Sequence, residues 1–235
     1  MRQANIKETF IKAMIQDIVA GKYHIGDKLP PERELSETLG ISRIVIHSGM
    51  VELCAKGLLR IVPRKGIYVN DYILHGGIAI IDVLFTDSPK LDPIIFLGMI
   101  QARALLETEF ASLAAKHRSE VHLKRLNEIV SQEKAETDLE TIVHLDFAFH
   151  HEIAHASGNV IYPMILKSME ATYENLIRAF YLQVKDRTLV LASHEALVNA
   201  IENQYETKAR TIMTDILAYG FAQLRSQAMV QEDPR

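Results

Sequence analysis

Apolar residues recur at helical spacing along most of this 235-residue chain, and the places where that spacing changes mark its organisation. The opening segment, from about residue 5 to residue 20, sets Ile6, Phe10, Ile11, Met14, Ile15 and Ile18 on one stripe, as in an amphipathic helix. Gly21 and Gly26 bracket a short link. Pro30 and Pro31 stand where a helix can begin, because their fixed φ suits a first turn and the missing N–H costs nothing there. Residues 32–39 then predict a short helix with Leu35 and Leu39 on its inner face, closed by Gly40 in a left-handed turn. Ser42 is placed to cap the next helix, which runs to about Ala55 with Val45, Met50, Leu53 and Cys54 at helical spacing and Gly57 beyond. Two β-rich runs follow, residues 58–62 and 67–69, around Pro63-Arg64-Lys65-Gly66, predicting a hairpin with two cations at its tip. Two short helices joined by a Gly-containing turn, followed by such a hairpin, read as a winged helix-turn-helix.

The pattern then changes. Residues 70–93 are a transition, where Gly76-Gly77 and Ser88-Pro89 punctuate an apolar piece, 78–85, compatible with a short linker helix. Beyond it every periodic segment is helical: 95–116, 119–134 with Ser119 as cap, 139–157, 164–182 beginning just after Pro163, 188–204 and 206–229. Such helices bury their stripes by packing on one another, which predicts an antiparallel all-α bundle. The expected fold class is mostly α. Its expected domains are a winged helix-turn-helix at 1–72, a linker at 73–91 and an all-helical effector-binding and dimerisation domain at 92–235.

Charge refines this division. The net charge is −4, yet residues 1–72 hold 11 Lys+Arg against 8 Asp+Glu, whereas residues 73–235 hold 15 against 22. A basic head on an acidic body fits a polyanion partner gripped through the head alone. No apolar run approaches the roughly 20 residues that span a bilayer. The N-terminal MRQANIKETF lacks the apolar core of a secretory signal, and Cys54 is the only cysteine. A cytoplasmic protein without membrane association is the expectation, with Cys54 on the inner side of its helix in a packing role.

Chemistry concentrates between residues 139 and 159. His151 to His155 spells HEIAH, the pattern of zinc proteases. On a helical wheel Ile142, Leu145, Phe149, Ile153 and Ala156 cluster on one face. His151 then lies roughly 160° from its centre and His155 roughly 120° away, so a buried catalytic zinc there is not expected. Asp146 and His150 behave differently. One turn apart, they flank the stripe and face along the edge of a bundle cavity, where a carboxylate and an imidazole at that spacing can hold a divalent cation. Equally, the histidine can serve as a hydrogen-bonding group inside the bundle. Arg103 and Glu107, also one turn apart, read either as an intrahelical ion pair or as a guanidinium free to clamp a ligand carboxylate. Asn159, after Ser157-Gly158, suits a turn into the following helix.

At two places the residues resemble a known family. PPERELSETLGISR, then the helix, then GLLRIVPRKGIYV is similar to the DNA-binding domain of the GntR family of bacterial transcription regulators, over roughly residues 6–71. RALLETEFASLAA and LDFAFHHEIAHASGN, within about 92–228, resemble the effector-binding domain of its FadR subfamily. The resemblance implies double-stranded DNA contact by Arg33, Ser42, Arg43, His47 and the wing residues Arg64, Lys65 and Gly66. His47 stands where the family usually carries arginine. It lacks the bidentate grip on guanine worth roughly 1–3 kcal/mol of discrimination, so the operator sequence is not to be borrowed from relatives with arginine. In the second domain the resemblance implies a pocket role for Arg103 and Asn159 towards a small carboxylate effector. It also adds His194 to Asp146 and His150 as ligands for a divalent metal (Zn, Ni or Mn). The usual fourth ligand position holds Ile216, and Asp215 beside it is turned away by about 100°. The expected protein is therefore a ligand-responsive regulator, a homodimer on a palindromic operator. Two other readings stand beside it: a metal-dependent hydrolase or lyase using Asp146, His150 and His194, and a constitutive DNA-binding protein with no effector.

Overall fold

A phenylalanine pressed against a glycine sets the geometry of the first part of the chain. In this computed structural model, which describes residues 2–78, 80–86, 93–184 and 186–230 (of 2–5 and 226–230 the backbone only), the chain divides into two compact units, Met1–Leu91 and Asp92–Arg235. Helix α1 (Arg2–Val19) buries Phe10, Ile11, Met14, Ile15 and Ile18, while Ile6 is 39 % exposed. Its stripe meets α3 (Arg43–Ala55), which buries Val45, Ile46, Gly49, Met50 and Leu53. A Cβ on Gly49 would stand 2.6 Å from Phe10 Cδ1, so the two helices approach closely only because that position has no side chain. Cys54, on the same helix, is half-buried.

Helix α2 (Glu32–Leu39) follows Pro31 and ends at Gly40, whose φ of 66° is the left-handed turn that the sequence predicts. Leu35 is buried as expected. Leu39, expected beside it, is 48 % exposed, because the helix stops before a further turn could cover it. Ser42 caps α3, its side chain accepting the Val45 N–H. The wing is an antiparallel pair, β1 (Leu59–Val62) and β2 (Gly66–Val69), in the register Leu59↔Val69 to Val62↔Gly66. A third piece of extended chain joins its far edge: Leu29 N–H donates to Ile67 O (2.9 Å) and Val69 N–H to Asp27 O (2.9 Å). Of the expected linker, Ser88, Pro89 and their neighbours from 87 to 91, with residue 79, lie outside the described residues. The rest forms α4 (Tyr72–His75), a single turn capped by Asp71, and α5 (Ile80–Thr86), which packs on α1 through a buried Ile80, Val83 and Leu84.

The second unit is an all-helical bundle: α6 (Pro93–His117), α7 (Glu120–Ala135), α8 (Leu139–Ala156), α9 (Ile161–Lys167), α10 (Glu170–Tyr181), α11 (Thr188–Glu202) and α12 (Glu206–Val230). Helix α8 lies at its centre, packed by α6, α7, α9 and α10. It buries Val143, Phe147 and Ala154 beyond the face read from the wheel, and Leu145 of that face is only half-buried. One expected element is two. Residues 164–182 divide into α9 and α10, with Met169 at φ −121°, ψ 20° between them. Ser168 Oγ donates to Ile165 O (2.7 Å) and draws the end of α9 onto itself. The break buries both Leu166 and Met169, whereas Met164 in the first turn of α9 is 65 % exposed. Pro163 sits inside the first turn of α9, where its missing N–H is one of those left free in any helix. Among the described residues no helix is long and apolar enough to cross a membrane.

Gly49→Ala tests the packing of the head. Alanine is the better helix former by about 1 kcal/mol. The clash with Phe10 should nevertheless make the change destabilising by about 1–3 kcal/mol, read from urea unfolding of the full chain; a gain in stability would mean that α1 and α3 are not held at this distance.

Candidate functional site

Two surfaces carry chemistry, one in each unit. On the first, burial of Val45, Ile46, Met50 and Leu53 turns Arg43, Ile44, His47, Ser48 and Val51 outward along α3. Ile44 is 82 % exposed, unusual for a large aliphatic residue on a helix that buries its other face. Arg33, on α2, is exposed and 3.7 Å from Glu37. His47 Nδ1 lies 2.9 Å from Glu32 Oε1. A neutral ring donating from Nδ1 to that carboxylate presents Nε2 outward as an acceptor. The hairpin tip is a turn of type II character, with Pro63 second, Arg64 third at φ 64°, and Lys65 N–H closing on Val62 O at 3.0 Å. The third position of that turn ordinarily belongs to glycine, and here it holds an exposed cation. Gly66 follows at φ 120°, with Lys28 Cε 3.0 Å from where its Cβ would stand. Lys28 is thus a further exposed cation beside the tip, which the sequence pattern alone did not single out. Arg60 lies over Tyr68 at 5.3 Å on the same hairpin.

On the second surface, a cavity of about 280 Å³ opens among α6, α8, α10, α11 and α12. Its polar end is formed by Arg103, Asp146, His150 and His194, and Asp215 and Ile216 also line it. The remaining wall is apolar, with Ile100, Leu176, Ile177, Phe180, Val190 and Leu224. The structure therefore brings Arg103, Asp146, His150 and His194 to one space. Asn159 does not line it; its Oδ1 accepts the Ile161 N–H (3.0 Å) and turns the chain into α9.

Behind the polar end lies a charged network. Glu107, 1 % exposed, accepts from Arg103 Nε (2.7 Å) and from the Tyr173 hydroxyl (3.1 Å), and its other oxygen stands 2.5 Å from His150 Nδ1. That last approach is an ion pair outside hydrogen-bond alignment. The Arg103 guanidinium also lies over the Tyr173 ring at 4.3 Å. Burial alone would raise the Glu107 carboxyl, but Arg103 and His150 outweigh it and hold it at about 2. Burial likewise disfavours the charged form of His150, and Glu107 with Asp146 overcomes this, so His150 is raised above its ordinary value. His194 Nδ1 is 2.9 Å from Glu133 Oε2, and Phe149 stacks on its ring at 4.0 Å. Tyr181 donates to Asp146 Oδ2 at 2.7 Å. Each imidazole therefore has Nδ1 against a buried carboxylate, which leaves Nε2 for the cavity; His150 Nε2 is 3.6 Å from Asp146 Oδ1.

The donors of Asp146, His150 and His194 do not converge. Among the described residues, the three metal-capable donor atoms within 4.8 Å of one another come from His122, Glu152 and His155. The wheel had turned His155 outward, and it is half exposed; His151 is partly buried against Phe147, 5.8 Å between rings. Glu133, Tyr173 and Tyr181 are the polar groups of the network that sequence reading missed. For Glu133 a signal existed: Leu123, Leu126, Val130 and Glu133 form the buried stripe of α7, so an acid falls where the period calls for an apolar residue. For the tyrosines there was none, since Tyr181 meets Asp146 across 35 residues of chain.

Each unit has a counterpart among known proteins. Residues 7–69 match the bacterial regulatory proteins of the gntR family, and residues 98–219 match the FCD domain. The chain is 26 % identical to a fatty acid metabolism regulator protein of Shewanella putrefaciens, over 79 % of this chain and 77 % of that one. It is 29 % identical to the Uxu operon regulator of Haemophilus influenzae, over 84 % of this chain and 74 % of that one. Among solved structures, that of Lar, described as controlling expression of the Listeria monocytogenes agr system, shares the fold with a TM-score of 0.68. It is 15 % identical and matched over 94 % of this chain and 96 % of its own. The chain, a winged helix-turn-helix unit followed by an all-helical unit, belongs to the GntR family of bacterial transcription regulators, in the branch that carries an FCD domain.

Proposed function

We propose that this regulator binds a palindromic operator as a homodimer in the cytoplasm and responds to a small organic acid held in the cavity of its helical unit. The observation that carries the reading of the head is the outward face of α3, with Arg43, Ile44, His47 and Ser48 exposed, in the same unit as the cationic tip at Arg64 and Lys65. The N-terminal part of α3 enters the major groove, where Arg43 and His47 meet base edges. Ser42, Arg33 and the wing residues Arg64, Lys65 and Gly66 meet the backbone or the adjacent groove. Phosphate contacts supply most of the affinity, and the short His47 side chain narrows what the helix can read.

For the effector, the cavity favours a carboxylate with an apolar body. Arg103 commits Nε to Glu107, so its remaining N–H groups are the ones offered to an anion beside His150 and His194. The apolar wall suits a hydrocarbon portion. The donor set also suits a divalent cation such as zinc, nickel or manganese, held by Asp146, His150 and His194. What supports this is the carboxylate behind each imidazole. Binding requires the three donors to draw together from their present spread, and Ile216 leaves the other positions to water or effector oxygens. Occupancy of the cavity then shifts the balance between arrangements of the two heads, a coupling of roughly 1–3 kcal/mol. Asn159 acts through the turn it makes.

Arg43→Ala should weaken specific operator binding about tenfold or more, measured by fluorescence anisotropy on DNA selected from a random pool. Unchanged affinity would remove α3 as the reading helix. His150→Ala combined with His194→Ala should lose one equivalent of metal relative to the parent chain, measured by elemental analysis after dialysis against zinc; full retention would place that ion elsewhere. Glu107→Gln should cost roughly 3–5 kcal/mol near neutral pH, since it leaves Arg103 and His150 without their buried partner. The folded carboxyl sits at about 2 against an ordinary 4.5, so its contribution is full above 4.5 and lost as pH falls towards 2. Urea midpoints of parent and variant should therefore converge over that window. A constant gap would mean that Glu107 acts by shape, not charge.

A further inference from the structure

We propose that His122, Glu152 and His155 form a second divalent-cation site, on the outer side of α7 and α8 and separate from the effector cavity. The HEIAH segment matches the zinc-protease pattern through His151 and His155, which the helical wheel turns away from the buried face. The fold retains only part of that pattern. Glu152 and His155, three residues apart, share a face of α8, while His151 turns to Phe147. The third donor comes from a different helix. His122 stands in the first turn of α7, with its ring centre 5.0 Å from that of His155. One donor atom from each of the three residues falls within 4.8 Å of the others.

An independent observation points to a ligand. Glu152 is 7 % exposed, so its carboxylate is largely removed from water. Its Oε2 is 3.7 Å from Arg125, but its Oε1 has no hydrogen-bond partner and lies 3.8 Å from His155 Nδ1. A buried carboxylate oxygen without a partner is costly, and a cation between Glu152 and the two imidazoles would satisfy it. Two nitrogens and one carboxylate oxygen select zinc or its neighbours over magnesium or calcium. Three protein ligands leave a position open to water or to an outside donor. The cap of α7 is compatible with this, because the bond from Ser119 N–H to His122 Nδ1 is long, 3.4 Å, and yields if the ring turns to a metal. Such an ion would tie the start of α7, the helix of Glu133, to the end of α8, the helix of Asp146 and His150.

The experiment uses the full chain carrying His150→Ala and His194→Ala, which silences the cavity, stripped with chelator and titrated with zinc sulfate by calorimetry. The expected result is one equivalent bound, with the affinity at least tenfold weaker after a further His155→Ala or Glu152→Gln. Magnesium sulfate should not compete. Cobalt(II) in place of zinc should give visible d–d absorption that His155→Ala abolishes. His155 is half exposed, so its removal should leave the far-UV circular dichroism unchanged, and it keeps the test valid if His122→Ala disturbs the cap. Zinc uptake indifferent to both His155→Ala and Glu152→Gln would overturn the proposal. So would the absence of uptake by the cavity-silenced chain. Neither result touches the effector reading, which depends on the other histidines.

Discussion

A carboxylate with almost no contact with water organises the helical unit. Glu107 joins Arg103 of its own helix to His150 of α8 and Tyr173 of α10, so three elements converge on one charge. Isolated, that charge would carry a desolvation cost of several kcal/mol. Surrounded by a guanidinium, a raised imidazole and a hydroxyl, it becomes a fixed point that dictates how α6, α8 and α10 meet. Glu133 of α7 orients His194 through its side chain, while Arg187 donates to its carbonyl (2.5 Å) and to that of Glu136 (2.8 Å), holding the end of α7. The cavity has a polar end because these carboxylates stand behind it, and an apolar wall because the rest of the helices meet through aliphatic and aromatic side chains.

The head solves a different problem with backbone. Helix α3 exposes Arg43, His47 and Ser48 on one side while approaching α1 closely on the other. Gly49 permits the approach, and the outward residues are thereby held on a rigid support. At the wing, Arg64 occupies a left-handed conformation where glycine would be unstrained.

Much of the fold was legible. The helix-turn-helix announces itself through local chemistry: Pro31 before a helix, Gly40 at its end, Ser42 as cap, Pro63 in the turn. Each acts on its immediate neighbours, and the structure has each in the expected place. The break between α9 and α10 was not legible, because no glycine or proline marks it; it arises where Leu166 and Met169 both find buried places. Leu39 kept its helical position but not its burial, since periodicity names a face without saying whether anything covers it.

At the candidate sites the division is sharper. Asp146 and His150 are neighbours by helical spacing, and Arg103 and Glu107 are another such pair, so sequence alone could place each pair on one face. That Arg103, Asp146 and His150 share one cavity with His194 is a matter of packing between distant helices. So is the gathering of His122 to Glu152 and His155. The chain by itself determined which residues repeat, cap and turn, because those effects act over a few bonds. Only tertiary structure decided which charges are buried together, because desolvation and Coulomb energy depend on neighbours that lie tens of residues away.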